Sequence, residues 1–241
     1  MTAGLELENV SVLRGGRPVV REVTLSVPPG EVTALMGPNG AGKSSLALAV
    51  SGLLRSATGR IHLGDIAILG KRPELVRAAG VAVVPEGRRL LNELSVEDNL
   101  RVATYGVGKS SYDNALGETM TLFPELEKRL DQPASALSGG EQQMLVLAQA
   151  LMSKPKVLLI DELSLGLAPI VVKRLVPTVM AVAKQGVAVL LIEQFAHVAL
   201  PLATRAYVME GSRIRFSGTA RQLLDEPDLL HSAYLLGSVE S

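Results

Sequence analysis

Cysteine is absent from the 241-residue sequence, so disulfides and thiolate metal sites are excluded. A reducing compartment is compatible with that absence. Tryptophan is absent too, and aromatic residues make up only 3% of the chain against 47% hydrophobic residues. The expected core is therefore Val, Leu, Ile and Ala. Net charge is also lacking, because 24 Lys and Arg balance 24 Asp and Glu. That balance argues against a strongly basic face and hence against nucleic acid as a partner. No apolar run approaches the roughly 18 residues that cross a membrane. The greasiest, Val187–Ile192, is far shorter and ends at Glu193. The N-terminal stretch carries acids and no apolar core, so it does not read as a signal peptide. The expectation is a soluble chain whose membrane role comes through a partner.

Several short apolar runs do not alternate with polar residues: Val32–Met36, Val81–Val84, Val157–Ile160 and Val187–Ile192. Runs of this length and β-branching suit strands buried on both faces of a parallel sheet. Between them the period is helical. Met144, Leu147, Ala148 and Leu151 fall on one helix face, and Pro155 stops that helix. Leu5–Leu13 and Glu22–Val27 flank Gly15-Gly16-Arg17-Pro18 and predict an antiparallel pair. The region from about Glu93 to Leu137 has few strand signals and reads as a helical insertion. Neither an internal repeat nor a linker is evident. The length allows one large domain or two small ones; a single α/β domain with two lobes, spanning 1–241, is the simplest account.

Three places carry chemistry. Gly37-Pro38-Asn39-Gly40-Ala41-Gly42-Lys43-Ser44 matches the phosphate-loop pattern, behind an apolar strand and ahead of a predicted helix, Ser44–Leu54. Glycines let the backbone curl with its N–H groups inward. The helix that follows presents its positive end to an anion. Lys43 would reach the β- and γ-phosphates, and Ser44 would offer a hydroxyl to Mg²⁺. Ser45 flanks them. Second, the run Val157–Ile160 ends in Asp161-Glu162. Asp161 would reach the Mg²⁺ shell, and Glu162 would polarise a water for in-line attack. Third, Leu137-Ser138-Gly139-Gly140-Glu141-Gln142 opens the amphipathic helix. Ser138 and Glu141 read as a cap, and the two glycines make the same turn an anion site.

A Leu-Ser-Gly-Gly-Glu-Gln turn between a phosphate loop and an Ile-Asp-Glu strand end resembles the ATP-binding subunit of ABC (ATP-binding cassette) transporters, from about Leu5 to Phe216. The resemblance implies ATP and Mg²⁺ as cofactors, a mixed or mainly parallel core sheet flanked by helices, an N-terminal antiparallel β subdomain and an inserted helical subdomain at about 91–155. It also implies two cassettes packed head to tail. Ser138, Gly139 and Gly140, with Gln142 beside them, would then touch nucleotide held by the other cassette. Val84-Pro85-Glu86-Gly87-Arg88-Arg89, Ser164-Leu-Gly-Leu-Ala-Pro169 and Ile192-Glu-Gln-Phe195 resemble the branched-chain (hydrophobic) amino-acid uptake branch, with urea and short-amide importers close by. That branch implies two transmembrane permease subunits, a second ATPase subunit, an extracytoplasmic solute-binding protein and a place on the cytoplasmic face of the membrane.

Some positions depart from the general cassette pattern. Glu86 stands where a Mg²⁺-sensing glutamine is usual, and Gln194 where a switch histidine is usual; both changes occur in the branched-chain branch. Arg14 falls near the position of the aromatic that stacks on adenine, and a guanidinium plane can stack there instead. Leu163 replaces a common proline, which predicts a looser turn after Glu162. A soluble cassette of translation or repair, a non-hydrolysing partner cassette and a small-acceptor phosphotransferase are the alternatives. One phosphate loop, no sustained heptads, Glu162 and the Ser138–Gly140 turn respectively count against them.

Overall fold

The apolar runs form the centre of the molecule. The computed structural model describes residues 4–104, 109–226 and 228; residues 105–108, inside the expected helical insertion, and both chain ends lie outside the described residues. The chain opens with β1 (Leu5–Arg14), β2 (Arg17–Val27) and β3 (Val32–Met36), then α1 (Lys43–Val50), β4 (Ala57–Leu63) and β5 (Ile66–Ala67). Next come α2 (Pro73–Ala79), β6 (Val81–Val84), α3 (Val96–Val102), α4 (Lys109–Leu122), α5 (Pro124–Glu127) and α6 (Gly139–Leu151). The last third holds β7 (Val157–Asp161), α7 (Pro169–Lys184), β8 (Ala188–Glu193), α8 (Ala196–Ala199), β9 (Arg205–Glu210), β10 (Arg213–Thr219) and α9 (Ala220–Asp225).

Two sheets result. One is antiparallel, in the order β2-β1-β4-β5; the other runs β10-β9-β3-β8-β7-β6 and is parallel except for the edge strand β10. Every residue of β3, β7 and β8 is buried. Their side chains alternate between two cores, as the strand period requires. Ala34, Leu158, Ile160, Val189 and Leu191 face α3, α6 and α7. Leu35, Leu159, Leu190 and Ile192 face the opposite way, toward α1 and the antiparallel sheet. Helix α1 is thus held between the sheets, with Leu46, Ala47, Ala49 and Val50 in that second core. The parallel register sets Met36 beside Glu193, and Asp161 beside Ile192. The carboxyl ends of β3, β7 and β8 therefore meet at one rim.

Three expectations shift. Helix α1 ends at Val50, four residues short of Leu54, where Ser51 caps it and Gly52 turns with φ of +76°. The first hairpin is tighter than expected: Arg17 and Pro18 pair with Arg14 and Leu13, leaving Gly15-Gly16 as the turn. Helix α6 buries more than one stripe, since Leu145, Val146 and Ala150 are buried beside Met144, Leu147 and Ala148. Between Val84 and Val157 the described residues form helices and turns with no strand. The fully buried Asn99 fastens the entrance to that region, its amide donating to Leu91 O (2.9 Å) and Ser95 O (2.9 Å) and its oxygen accepting from Leu91 N (3.0 Å).

Candidate functional site

Residues 37–42 leave β3 as an irregular loop that curls back before α1. Its glycines are dictated by crowding. A side-chain carbon on Gly37 would lie 2.1 Å from Met209 O, and one on Gly42, at φ of +106°, 2.2 Å from Val19 O. The loop is wedged between β9 and β2, so any other residue at either position would displace backbone. Pro38 is half-buried, Asn39 and Gly40 are exposed, and Ala41 and Ser45 are buried. Lys43 is only 5% exposed. Its Nζ donates to Gly37 O (2.7 Å) and Pro38 O (3.0 Å), so the ammonium spans its own loop. Burial pushes Lys43 below the usual lysine range, while the charges of Glu162, Asp161, Glu193 and Glu86 hold it up.

Asp161 and Glu162 follow at the end of β7. Asp161 is buried, and its Oδ1 has no hydrogen-bond partner among the described residues. Burial pushes its carboxyl up, and a hydrogen bond from the Ser44 side chain pulls it down. Glu162 adopts a left-handed φ of +57°, uncommon outside glycine and a sign that its surroundings fix it. Its N–H donates to Ile192 O at 2.9 Å. Burial raises its carboxyl as well, and the Glu86 and Asp161 charges add to the rise. The turn after it is not loose. Leu163 is fully buried in the core beneath α7, which takes over the restraint that a proline would supply. Glu162 opens on a cavity of about 350 Å³ that Arg88, Arg89, Gln142, Gln143 and Leu165 also line.

An orphaned carboxylate oxygen, a serine hydroxyl and four acids around one lysine suit a divalent cation brought in with phosphate oxygens. No group of three or more His, Asp and Glu among the described residues forms a metal centre by itself. The chain's own donors are therefore an incomplete set, as expected where the ligand completes it.

The turn at 138–140 is held by other neighbours. Ser138 caps α6 in a capping box: Glu141 N donates to Ser138 Oγ (3.3 Å), and Ser138 N donates to Glu141 Oε2 (2.8 Å). A side-chain carbon on Gly139 would lie 2.9 Å from Arg88 Nη1, and one on Gly140 2.9 Å from Val171 Cγ1. Gln142 donates to Ala134 O at 3.2 Å. These contacts set the turn against the loop after β6 and the first turn of α7, and Gln142 reaches the cavity on which Glu162 opens. Arg14 lies exposed at the tip of β1, on the hairpin whose Val19 braces the loop. The structure thus brings together Lys43, Ser44, Asp161 and Glu162, with Glu86 close enough to act on their charge. It does not bring Ser138–Gly140 to them.

Sequence reasoning missed Glu193. The acid is the last residue of β8 and only 1% exposed. Its oxygens accept from Ser164 N (2.9 Å) and Ser164 Oγ (3.1 Å). Burial pushes its carboxyl up, against the pull of the Ser164 bonds. The signal was an acid abutting an unbroken apolar run.

A phosphate loop on a parallel strand, faced by an acid pair two strands away across β8 and flanked by an antiparallel sheet, defines a nucleotide-phosphate-binding α/β protein. The comparisons narrow the class. A sequence model of the ABC transporter family matches residues 20–164. The chain is 41% identical over 233 residues to the high-affinity branched-chain amino acid transport ATP-binding protein BraG of Pseudomonas aeruginosa, covering 97% of this chain and 100% of that one. It is 32% identical over 208 residues to the probable branched-chain amino acid transport ATP-binding protein LivF of Archaeoglobus fulgidus, covering 86% and 88%. A solved ATP-binding subunit of an ABC transporter superposes with a TM-score of 0.81 at 28% identity, covering 97% of this chain and 99% of that one. The chain belongs to the ABC transporter family, as its ATP-binding cassette and an ATPase.

Proposed function

We propose that this cassette drives uptake of branched-chain or other hydrophobic amino acids. The observation that carries the reading is likeness to BraG from end to end of both chains. The cassette works with two permease subunits, a second cassette of the same or another kind, and a solute-binding protein on the far side. It sits on the cytoplasmic face of the membrane. Among the described residues no helix is long and apolar enough to cross one. Residues 91–155 act as a helical subdomain. A groove of about 350 Å³ between it and the β6 region, walled by Leu53, Val76, Val102, Ala103 and Val146, suits an apolar permease segment.

Within the site, residues 37–45 cradle the ATP phosphates and Arg14 stacks on the base. Lys43 exchanges its loop carbonyls for phosphate oxygens. Ser44, Asp161 and Glu86 hold Mg²⁺, which when bound draws charge off the phosphate oxygens. Glu162, raised by burial and by Glu86, accepts the proton of the attacking water. Gln194 hydrogen-bonds the γ-phosphate. Ser138, Gly139, Gly140 and Gln142 complete the partner's site, a reading that the two glycines at the capped start of α6 support. Glu162→Gln should lower steady-state phosphate release by at least about a hundredfold with ATP affinity retained. Equal turnover of variant and wild type in the reconstituted complex would remove Glu162 from the mechanism.

A further inference from the structure

Two of the sequence features that mark the uptake branch, Pro85-Glu86-Gly87-Arg88 and Ile192-Glu193-Gln194, come from different strands yet grip the same loop. That loop, Ser164–Ala168, follows the acid pair. Glu193 holds its first residue through both carboxylate oxygens. Arg88 Nη2 donates to Gly166 O at 3.3 Å, two residues further on. No acid pairs with the Arg88 guanidinium among the described residues, so Gly166 O is its anchor there. The hold extends to Glu162. Leu165 N donates to Glu162 O (3.4 Å) and closes the left-handed turn, and Glu162 N donates to Ile192 O (2.9 Å), next to Glu193. The turn that aims Glu162 is thus spanned by β8 on one side and by the loop that Glu193 fixes on the other.

We propose that Glu193 is a positioning residue, latching Ser164 so that the Glu162 turn keeps its geometry, with Arg88 as the second anchor of the same loop. The inference rests on the reading of Glu162 as the base. The latch works by hydrogen bonding and not by charge. A glutamine at 193 offers an oxygen to Ser164 N and an amide to Ser164 Oγ, whereas alanine offers nothing. The latch also gives β8, whose next residue is Gln194, a direct hold on the loop.

Turnover and amide exchange on the full chain test this together. Glu193→Ala should lower kcat about tenfold, with KM for ATP changed less than about twofold, because a misaimed base harms chemistry and not phosphate binding. Glu193→Gln should restore most of the loss. Ser164→Ala, a half-buried site that leaves the core intact, should lower kcat less than Glu193→Ala. Adding it to Glu193→Ala should cause no further fall. Exchange of the 163–167 amides should quicken about tenfold in Glu193→Ala and stay slow in Glu193→Gln. Unchanged exchange in Glu193→Ala overturns the latch. So does a Glu193→Gln variant as slow in turnover as Glu193→Ala, which would assign the role to charge. Quickened exchange with full turnover overturns the positioning role. Glu162→Gln, measured alongside, isolates the base assignment: were it fully active, that assignment would fail while exchange still decided the latch.

Discussion

Glu193 shows what a buried acid does at the scale of one residue. Its carboxyl lies at the end of a strand with no exposed position, and two donors from Ser164 offset the lost water. The offset is incomplete. Burial, with the nearby Glu162 charge, leaves the carboxyl above its ordinary value of 4.5. The folded chain therefore binds this proton more tightly than the unfolded chain does. The penalty is absent at pH below 4.5 and develops as pH rises through the folded-state value. Glutamine carries no such penalty. Glu193→Gln should accordingly be more stable than wild type near about pH 8, and the gap should close as pH falls toward about 5. Urea midpoints across that range check it, and a gap that widened toward acid would contradict the assignment.

At the scale of elements, the cap that Ser138 makes and the phosphate contact proposed for it can be separated by substitution. As a cap it satisfies the first amides of α6 and fixes Glu141, which also lies 3.5 Å from Arg129 Nε. Ser138→Ala should cost about 1 kcal/mol, or about 2–4 °C of melting midpoint for a chain of this size. Ser138→Asp keeps a side-chain acceptor for the Glu141 amide but sets a negative charge where a partner's phosphate is expected. Because its carboxylate also faces Glu141, to which the serine hydroxyl donates at 2.7 Å, it should melt near the alanine variant and yet lose at least about tenfold more in turnover. Turnover unaffected by Ser138→Asp would disconnect the turn from phosphate. What was legible in the sequence divides along this line. The strands buried on both faces, the phosphate loop and the Ser138 cap are local patterns, written in runs and spacings of neighbouring residues. The end of α1 was legible as well, in Gly52, whereas the firmness of the Leu163 turn and the Glu193–Ser164 latch depend on core packing or on a contact between residues 29 apart. No local pattern encodes them.

At the scale of the molecule, the groove beside β6 joins the two cores. Leu53, from the loop after α1, and Val102, at the end of α3, line it and are 63% and 50% exposed. The Arg77 guanidinium donates to Ala103 O and ties α2 to α3 across the floor. Exposed apolar side chains on two walls gain about 25 cal/mol for each Å² covered, so an apolar permease segment would be held there. A charge placed on either wall would be buried unpaired on docking, at a cost of about 1–3 kcal/mol by the scale of buried polar groups. Leu53→Glu with Val102→Glu should therefore weaken retention by co-expressed permeases roughly tenfold to a hundredfold or more. Both positions face solvent in the free chain, so the melting midpoint should move by no more than a few degrees. Titration of detergent-purified permease against the immobilised cassette reads the affinity. Undiminished retention of the double variant would move the docking surface away from this groove.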